Sequence, residues 1–232
     1  MIKSLIIVFS VVLVGVYFTA KFFSLNVLYN IKEKDKGWGD FIEPVVINKK
    51  TVENDYYVAF KETRIGNHFT DFEIINLNER LLHSSFNYEV GTAYFTIEIT
   101  PNLIDAFLAS TPDVAAYEMI DKPAILKKYQ VTSDLEFINL FMRIKNQKNN
   151  IFTSTKKMQE VYALQHFAIN NLGKWDSISP IEGDYSGFIL YTADEEEYHI
   201  LKNNKRYIIT FTSLAYFDAE KIMAIISTLE ID

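Results

Sequence analysis

The chain has 232 residues, 49% of them hydrophobic, a formal net charge of −7 at pH 7, and no cysteine. The absence of cysteine excludes disulfide scaffolds, thiolate zinc sites and thiol catalysis. A net negative surface repels phosphate backbones, and because no long run of lysine and arginine offsets it, we expect no nucleic-acid partner.

The most apolar stretch, Leu5–Ala20, contains no charge and is bounded by Lys3 and Lys21. A helix needs about 20 apolar residues to cross a hydrocarbon core of about 30 Å. Flanking residues extend the run to residues 4–25, with both lysines snorkelling to the headgroups. The stretch therefore predicts a transmembrane signal-anchor over residues 1–25, so that the membrane is a partner through residues 4–25. A cleaved signal peptide and a buried core helix are the alternatives.

Residues 26–40 are predicted to be a charged stalk and residues 41–232 a soluble domain, with an alternative subdomain boundary near residue 173. Residues 24–232 carry 21 basic and 30 acidic side chains, a net charge of −9. Because a short amino-terminal tail usually stays inside the cell, we predict a single-pass protein of the inner membrane of a bacterial envelope, with its domain in the periplasm.

Residues 41–100 are predicted to form β-structure, because apolar and polar side chains alternate there, as in Asp71–Ile74. A turn is expected at Arg64–Asn67. A second turn or a bulge is expected at Gly91, where the parity of the apolar residues changes.

Residues 101–173 carry helical patterns. One helix is predicted to begin at Thr111–Asp113, where a hydroxyl, a proline and an acid follow one another, and to end at Pro123. The sequence Ser133–Glu136 is a capping box that predicts a second helix start. Gly173 is predicted to end the last helix of this segment.

Residues 174–232 return to β-structure, with a hairpin turn at Asn203–Asn204 and a final helix capped by Asp218. The order of sheet, helices, sheet and helix predicts an α+β fold. In this fold an N-terminal transmembrane helix precedes a mostly antiparallel sheet, a central helical segment and a C-terminal helix. The strands predicted here are Phe188–Thr192, Tyr198–Ile200 and Tyr207–Phe211.

No motif for catalysis, for a cofactor or for a metal is present. The histidines show no metal-ligand spacing, and Gly183–Gly187 lacks the Gly-x-Ser-x-Gly pattern of a nucleophile elbow. We therefore predict no catalytic, cofactor-binding or metal-binding residues, and packing or surface roles for the histidines. The four histidines are His68, His83, His166 and His199.

The strongest local charge feature is the acidic run between two predicted strands. It is a candidate binding site for a basic protein or a cation, and a solvated loop is the alternative interpretation. The run consists of Asp194, Glu195, Glu196 and Glu197.

An anchor without a catalytic motif, attached to an acidic domain rich in aromatic residues, predicts a non-enzymatic protein-binding domain at the membrane. An immunity-type inhibitor of a secreted toxin or effector is one specific form of this hypothesis. The alternatives are a structural component of an envelope secretion or assembly machine, an anchored hydrolase whose site is not visible in the sequence, and a binder of small molecules or lipids.

Overall fold

The strands and helices come from a computed structural model that describes residues 10–20, 38–50, 57–66, 72–88, 91–110, 120–145, 154–212, 214 and 216–232. The strands are β1 (Val45–Ile47), β2 (Tyr57–Phe60), β3 (Thr63–Gly66), β4 (Phe72–Leu77), β5 (Leu81–Tyr88), β6 (Gly91–Pro101), β7 (Ser177–Gly183), β8 (Gly187–Tyr191), β9 (Glu195–Lys202), β10 (Lys205–Thr212) and β11 (Glu230–Ile231). The helices are α1 (residues 10–20), α2 (Leu103–Ala109), α3 (Lys122–Tyr129), α4 (Asp134–Lys145), α5 (Thr155–Leu172) and α6 (Ala219–Ile226).

The described residues fall into two compact units. The sheet unit comprises Trp38–Ala109, Thr132–Phe137 and Lys174–Asp232. The helical unit is built from the described residues within Met1–Gly37, Ser110–Val131 and Ile138–Gly173.

The sheet unit contains a large sheet with the strand order β1-β7-β8-β9-β10-β6-β5-β4 and a small sheet with the order β11-β3-β2. All pairings in the large sheet are antiparallel except that of β1 with β7, which is parallel. The predicted α+β class with mostly antiparallel pairing is therefore confirmed.

The core of the sheet unit follows from period-two alternation in the central strands. On β10, Tyr207, Ile209 and Phe211 point to one face of the large sheet and are at most 1% exposed. They belong to one apolar cluster with Ile65 of the small sheet and Ile222 of α6. Burial of each such side chain contributes about 1.5–3 kcal/mol, so this cluster fixes the register of the sheet.

Local capping signals act as the sequence predicts. Ser133 Oγ accepts the amide of Glu136 at 3.3 Å, and Glu136 Oε2 accepts the amide of Ser133 at 3.1 Å. Gly173 ends α5 with a φ of +68°. Asp218 caps α6 by accepting the amide of Lys221 at 2.9 Å.

One predicted turn and one predicted helix end differ from the structure. The turn expected at Arg64–Asn67 is wrong, because Thr63–Gly66 is strand β3. The chain reverses instead between β2 and β3, at Lys61, whose φ is +52°. Pro123 does not end a helix. It lies in the first turn of α3, where its missing N–H leaves no hydrogen bond unmade. The predicted helix start at Thr111–Asp113 lies outside the described residues.

The predicted transmembrane helix is also wrong. Among the described residues no helix is long and apolar enough to cross a membrane. Residues 10–20 form helix α1. This contradicts the signal-anchor, the inner-membrane localisation and the periplasmic envelope domain. Residues 4–9 and 21–25 of the predicted span lie outside the described residues.

The buried-helix alternative for this stretch is not supported either. Every side chain of α1 is exposed, with Val11 at 66% and Phe18 at 44%. Of the predicted stalk, residues 26–37 lie outside the described part of the chain. Trp38 is described, and its ring packs against Trp175 with a centroid separation of 6.2 Å, which places it within the sheet unit.

The helical unit has its own apolar interior. Phe141 on α4 and Leu164 and Phe167 on α5 are nearly fully buried. The side chain of Gln165 is buried among them and donates to the carbonyl of Ile144 at 3.5 Å, which satisfies its amide.

Candidate functional site

The acidic run predicted from the sequence lies at a tight turn between β8 and β9. Thr192 holds the turn, because its N–H donates to the carbonyl of Glu195 at 2.9 Å and its Oγ1 accepts the amide of Glu195 at 3.1 Å. Asp194 is exposed in the turn, while Glu195 is already the first residue of β9. One residue of the run, Asp194, therefore lies in the turn and the other three lie in β9, so the run is not a solvated loop.

Strand geometry divides the three glutamates between the two faces of the sheet. Glu196 accepts a hydrogen bond from the buried hydroxyl of Tyr198 at 2.9 Å, and Glu197 Oε2 lies 3.1 Å from Nε2 of His199. Asp194 and Glu195 have no such side-chain partner among the described residues. Glu196 and Glu197 therefore make side-chain contacts within β9, whereas Asp194 and Glu195 remain available at the surface.

Glu195 lies in an unfavourable electrostatic environment. Burial raises the pKa of Glu195, and the negative charges of Glu197 and Asp194 raise it further. Burial also raises the pKa of Glu196, against the effect of its hydrogen bond from Tyr198. A cation placed beside this turn would relieve that unfavourable energy.

Sheet pairing brings two further acids to the same end of the large sheet. The amide of Asp176 donates to the carbonyl of Tyr191 at 2.6 Å, so the exposed Asp176 lies beside the end of β8. The carbonyl of Asp40, another exposed acid, accepts the amide of Ile178 at 3.2 Å. We call Asp40, Asp176, Asp194 and Glu195 the acidic end of the large sheet.

No lysine or arginine in the described ranges forms a salt bridge with Asp176, Asp194 or Glu195. The sequence pattern singles out only the contiguous run and misses Asp40 and Asp176. Both acids are separated from the run along the chain; the pairing of β7 with β8 brings the backbone of Asp176 beside the end of β8, and Asp40 lies one strand farther away.

Gly39 allows the chain before β1 to approach the acidic end closely. Its amide donates to the carbonyl of Trp175 at 2.8 Å, and a Cβ at this position would lie 1.5 Å from the carbonyl oxygen of Asp176. Any side chain here would push the segment away from β7.

His199 is the histidine that best tests the hydrolase hypothesis. Its ring is 1% exposed and stacks on Phe188 with a centroid separation of 4.5 Å. Burial lowers the pKa of His199 to about 4, so that the ring is neutral at pH 7 and donates its Nε2 proton to Glu197. Glu197 and His199 form a carboxylate–histidine pair on one strand, in which the ring is packed in the core while the carboxylate side chain is 31% exposed.

The other described histidines also have packing contacts. His83 lies against the ring of Tyr94 at 5.4 Å, and His166 stacks on Tyr162 at 5.7 Å. His68 lies outside the described residues. Within the described ranges, no group of three or more His, Asp or Glu side chains is arranged to hold a metal ion.

Buried polar side chains connect α2 to the rest of the sheet unit. The buried carboxylate of Asp134 accepts the amides of Leu103 and Ile104 at 2.8 and 3.3 Å, so it caps α2 from a distant part of the chain. Arg206, 3% exposed, donates from Nε to Thr100 at 3.1 Å. Burial lowers the pKa of Arg206, while the charge of Asp134 raises it. These contacts stabilise the fold and offer no opening to a substrate.

The helical unit contains a pocket of about 330 Å³ between α3 and α5. Its wall includes the ion pair of Lys128 with the buried Glu160. This volume lies at the low end of the roughly 300–1,000 Å³ of small-molecule sites, and the wall combines apolar and charged side chains. The lining residues are Ile120, Asp121, Ala124, Ile125, Lys128, Lys156, Gln159 and Glu160.

Comparison with known proteins found no relative: no protein-family model, no curated protein and no solved structure matches the chain.

Proposed function

We propose that this chain is a non-enzymatic protein-binding module whose acidic end receives a basic protein. The observation that carries the proposal is the set of acidic residues Asp176, Asp194 and Glu195 at one end of the large sheet, none of which forms a salt bridge with a lysine or arginine in the described part of the chain. The net charge of −9 over residues 24–232 supports it, because it steers a basic partner toward the domain.

The electrostatics of the turn also support a cationic ligand. Glu195 is held with a raised pKa by burial and by two neighbouring negative charges. Lysine or arginine side chains of a partner would stabilise the ionised carboxylates, and this energy is gained only in the complex. Inhibition of a basic enzyme and a structural role in an assembly are two forms that such binding can take.

Affinity capture with charge variants tests this function. The test variant carries Asp176→Asn and Asp194→Asn. The matched control carries Glu79→Gln and Glu220→Gln, which remove the same charge from exposed sites on the β4–β5 turn and the first turn of α6. Each protein is immobilised, exposed to a lysate of the source cells, and its retained proteins are identified by mass spectrometry.

We expect a protein of high isoelectric point to be retained by the wild-type and control proteins and lost from the test variant. Titration calorimetry with the purified partner should then show an affinity that falls as salt rises. Retention of the same set of proteins by all three forms would refute the proposed function.

A further inference from the structure

The pocket of the helical unit is lined by one side of α3 and one side of α5. On α5 the lining residues Lys156, Gln159 and Glu160 are spaced by three and four positions, which places them on the same side of the helix. On α3 a spacing of four positions relates Ala124 to Lys128 in the same way. The acidic end belongs to the sheet unit, so this pocket is a separate candidate site and goes beyond the proposed function.

Of the two acids in the wall, Glu160 retains unused hydrogen-bonding capacity. Asp121 is exposed and caps α3, because its Oδ1 accepts the amide of Ala124 at 2.9 Å. Glu160 is 5% exposed, and its Oε2 pairs with Nζ of Lys128. Its Oε1 accepts no hydrogen bond from the residues that the structure describes. Since a buried carboxylate is costly unless its oxygens receive hydrogen bonds, Oε1 of Glu160 is the acceptor that the pocket offers to a donor group of a ligand.

Of the two lysines in the wall, Lys156 is the one available to a ligand. The Nζ of Lys128 pairs with Glu160 and lies 5.0 Å from the ring centroid of Tyr129. The hydrogen bond with Glu160 raises the pKa of Lys128. Lys156 is exposed, and its ammonium group forms no salt bridge or hydrogen bond with the described part of the chain. It is therefore free to pair with an anionic group of a ligand.

These available groups fit a molecule that carries one charge of each sign. Glu160 and Lys156 are four positions apart on α5, which separates their Cβ atoms by about 5–6 Å. A diamine would place its second positive charge close to the lysines, and a simple carboxylate would bring a negative charge to Glu160 with no cation of its own. The remainder of the wall includes the apolar side chains of Ile120, Ala124 and Ile125.

We propose that the pocket between α3 and α5 binds a free α-amino acid with a small apolar side chain. The ammonium group of the amino acid donates to Oε1 of Glu160, and its carboxylate pairs with Nζ of Lys156. Its side chain packs against the apolar residues of α3, of which Ile125 is 3% exposed. The volume of about 330 Å³, at the low end of small-molecule sites, limits the ligand to this size.

L-Alanine, L-valine and L-leucine are the probes, each titrated into the full chain by isothermal calorimetry. We expect at least one of them to bind. The matching fatty acid, which lacks the ammonium group, should bind about tenfold or more weakly, because the contact with buried Glu160 is lost. The matching alkylamine, which lacks the carboxylate, should bind about threefold or more weakly, because the contact with Lys156 is more exposed to solvent. For leucine these analogues are isocaproate and isoamylamine.

Two neighbouring lysines of α5 provide matched variants of the protein. Lys156→Gln removes the charge that pairs with the carboxylate of the amino acid. Lys157→Gln removes the same charge one residue farther along, where the side chain does not line the pocket. We expect Lys156→Gln to weaken binding of the amino acid about threefold or more and Lys157→Gln to leave it unchanged. Both lysines lie on the outer part of the first turn of α5, and thermal unfolding checks that both variants fold.

No binding of any of the three amino acids at millimolar concentration would overturn the inference. Equal affinities of the bound amino acid and its fatty acid would overturn the contact with Glu160, and equal affinities of the Lys156→Gln and Lys157→Gln variants would overturn the site. The proposed function is tested separately, because the capture experiment changes only Asp176 and Asp194 of the sheet unit and their control positions.

Discussion

The acidic residues at the two ends of the β9–β10 hairpin have pKa values shifted in opposite directions. At the closed end, Glu62 of the neighbouring turn forms a salt bridge with Lys205 and accepts the hydroxyl of Tyr207 at 3.2 Å. The hydrogen bond from Lys205 lowers the pKa of Glu62. At the open end, burial and like charges raise the pKa of Glu195.

The difference distinguishes a structural acid from an acid available to a partner. Glu62 is stabilised within the chain and ties the small sheet to the hairpin. Asp194 and Glu195 have no salt-bridge partner in the described ranges, and the raised pKa of Glu195 means that the folded chain is more stable when Glu195 is uncharged. The acidic end therefore fits an intermolecular role better than an intramolecular one.

Gly39→Ala should have the largest effect on this comparison, because it pushes the chain before β1 away from β7 and Asp176. The new Cβ would lie 1.5 Å from the carbonyl oxygen of Asp176, and forced repacking of this kind costs about 1–3 kcal/mol. Urea unfolding measures the loss. Gly15→Ala is the control, since a Cβ there has no atom within 4 Å; equal stability of the two variants would contradict the close approach.

Tyr198→Phe should have the next largest effect. Its hydroxyl is buried and donates to the carboxylate of Glu196 at 2.9 Å, so its removal costs about 1.5 kcal/mol. Tyr207→Phe, whose hydroxyl contacts the better-solvated Glu62, should lose less. Thermal unfolding at pH 7 compares the two, and an unchanged melting temperature for Tyr198→Phe would show that Glu196 does not depend on this contact.

Glu62→Gln should destabilise the chain by less than about 1 kcal/mol, because its salt bridge with Lys205 is partly exposed and screened by solvent. The folded pKa of Glu62 lies below the ordinary value of 4.5. Its stabilisation is therefore present above pH 4.5 and is lost as the pH falls through the folded pKa. Urea unfolding between pH 7 and pH 3 should show the difference between wild type and variant shrinking, and a constant difference would refute this assignment.

Glu195→Gln should have the smallest effect and the opposite sign, stabilising the chain by a few tenths of a kcal/mol at pH 7 after allowance for solvent screening. Its folded pKa lies above 4.5, so the unfolded chain releases this proton first and stability falls as the pH rises above that value. The variant should lack that decline in urea unfolding from pH 4 to pH 7. Loss of stability at pH 7 would show that Glu195 has a cationic partner within the chain.

The sequence predicts the features of this fold that depend on local signals. The capping box at Ser133–Glu136 and the hairpin at Asn203–Asn204 both form, the latter with φ values of +53° and +58°. Pro123 is ambiguous from the sequence, because proline both follows helices and opens them, and here it opens α3.

Features that depend on pairing between distant segments are not visible in the sequence. Strand β7 lacks a clear alternating pattern and contains Pro180, and it becomes a strand by pairing with β8 on one side and β1 on the other. The acidic end depends on the same pairing, since β7 brings Asp176 beside the turn that carries Asp194. The sequence therefore predicts the contiguous run but not the acids that strand pairing places beside it.

The most direct test of the central claim is to map where a basic partner binds. Backbone amide shifts of the isotope-labelled chain are followed by NMR while the partner found by affinity capture is added. We expect the largest shifts at Asp176, Asp194 and Glu195, with little change at Glu62 and Lys205, and an affinity that weakens as salt rises. Shifts concentrated at the closed end of the β9–β10 hairpin, or binding insensitive to salt, would contradict a cation-binding role for the acidic end.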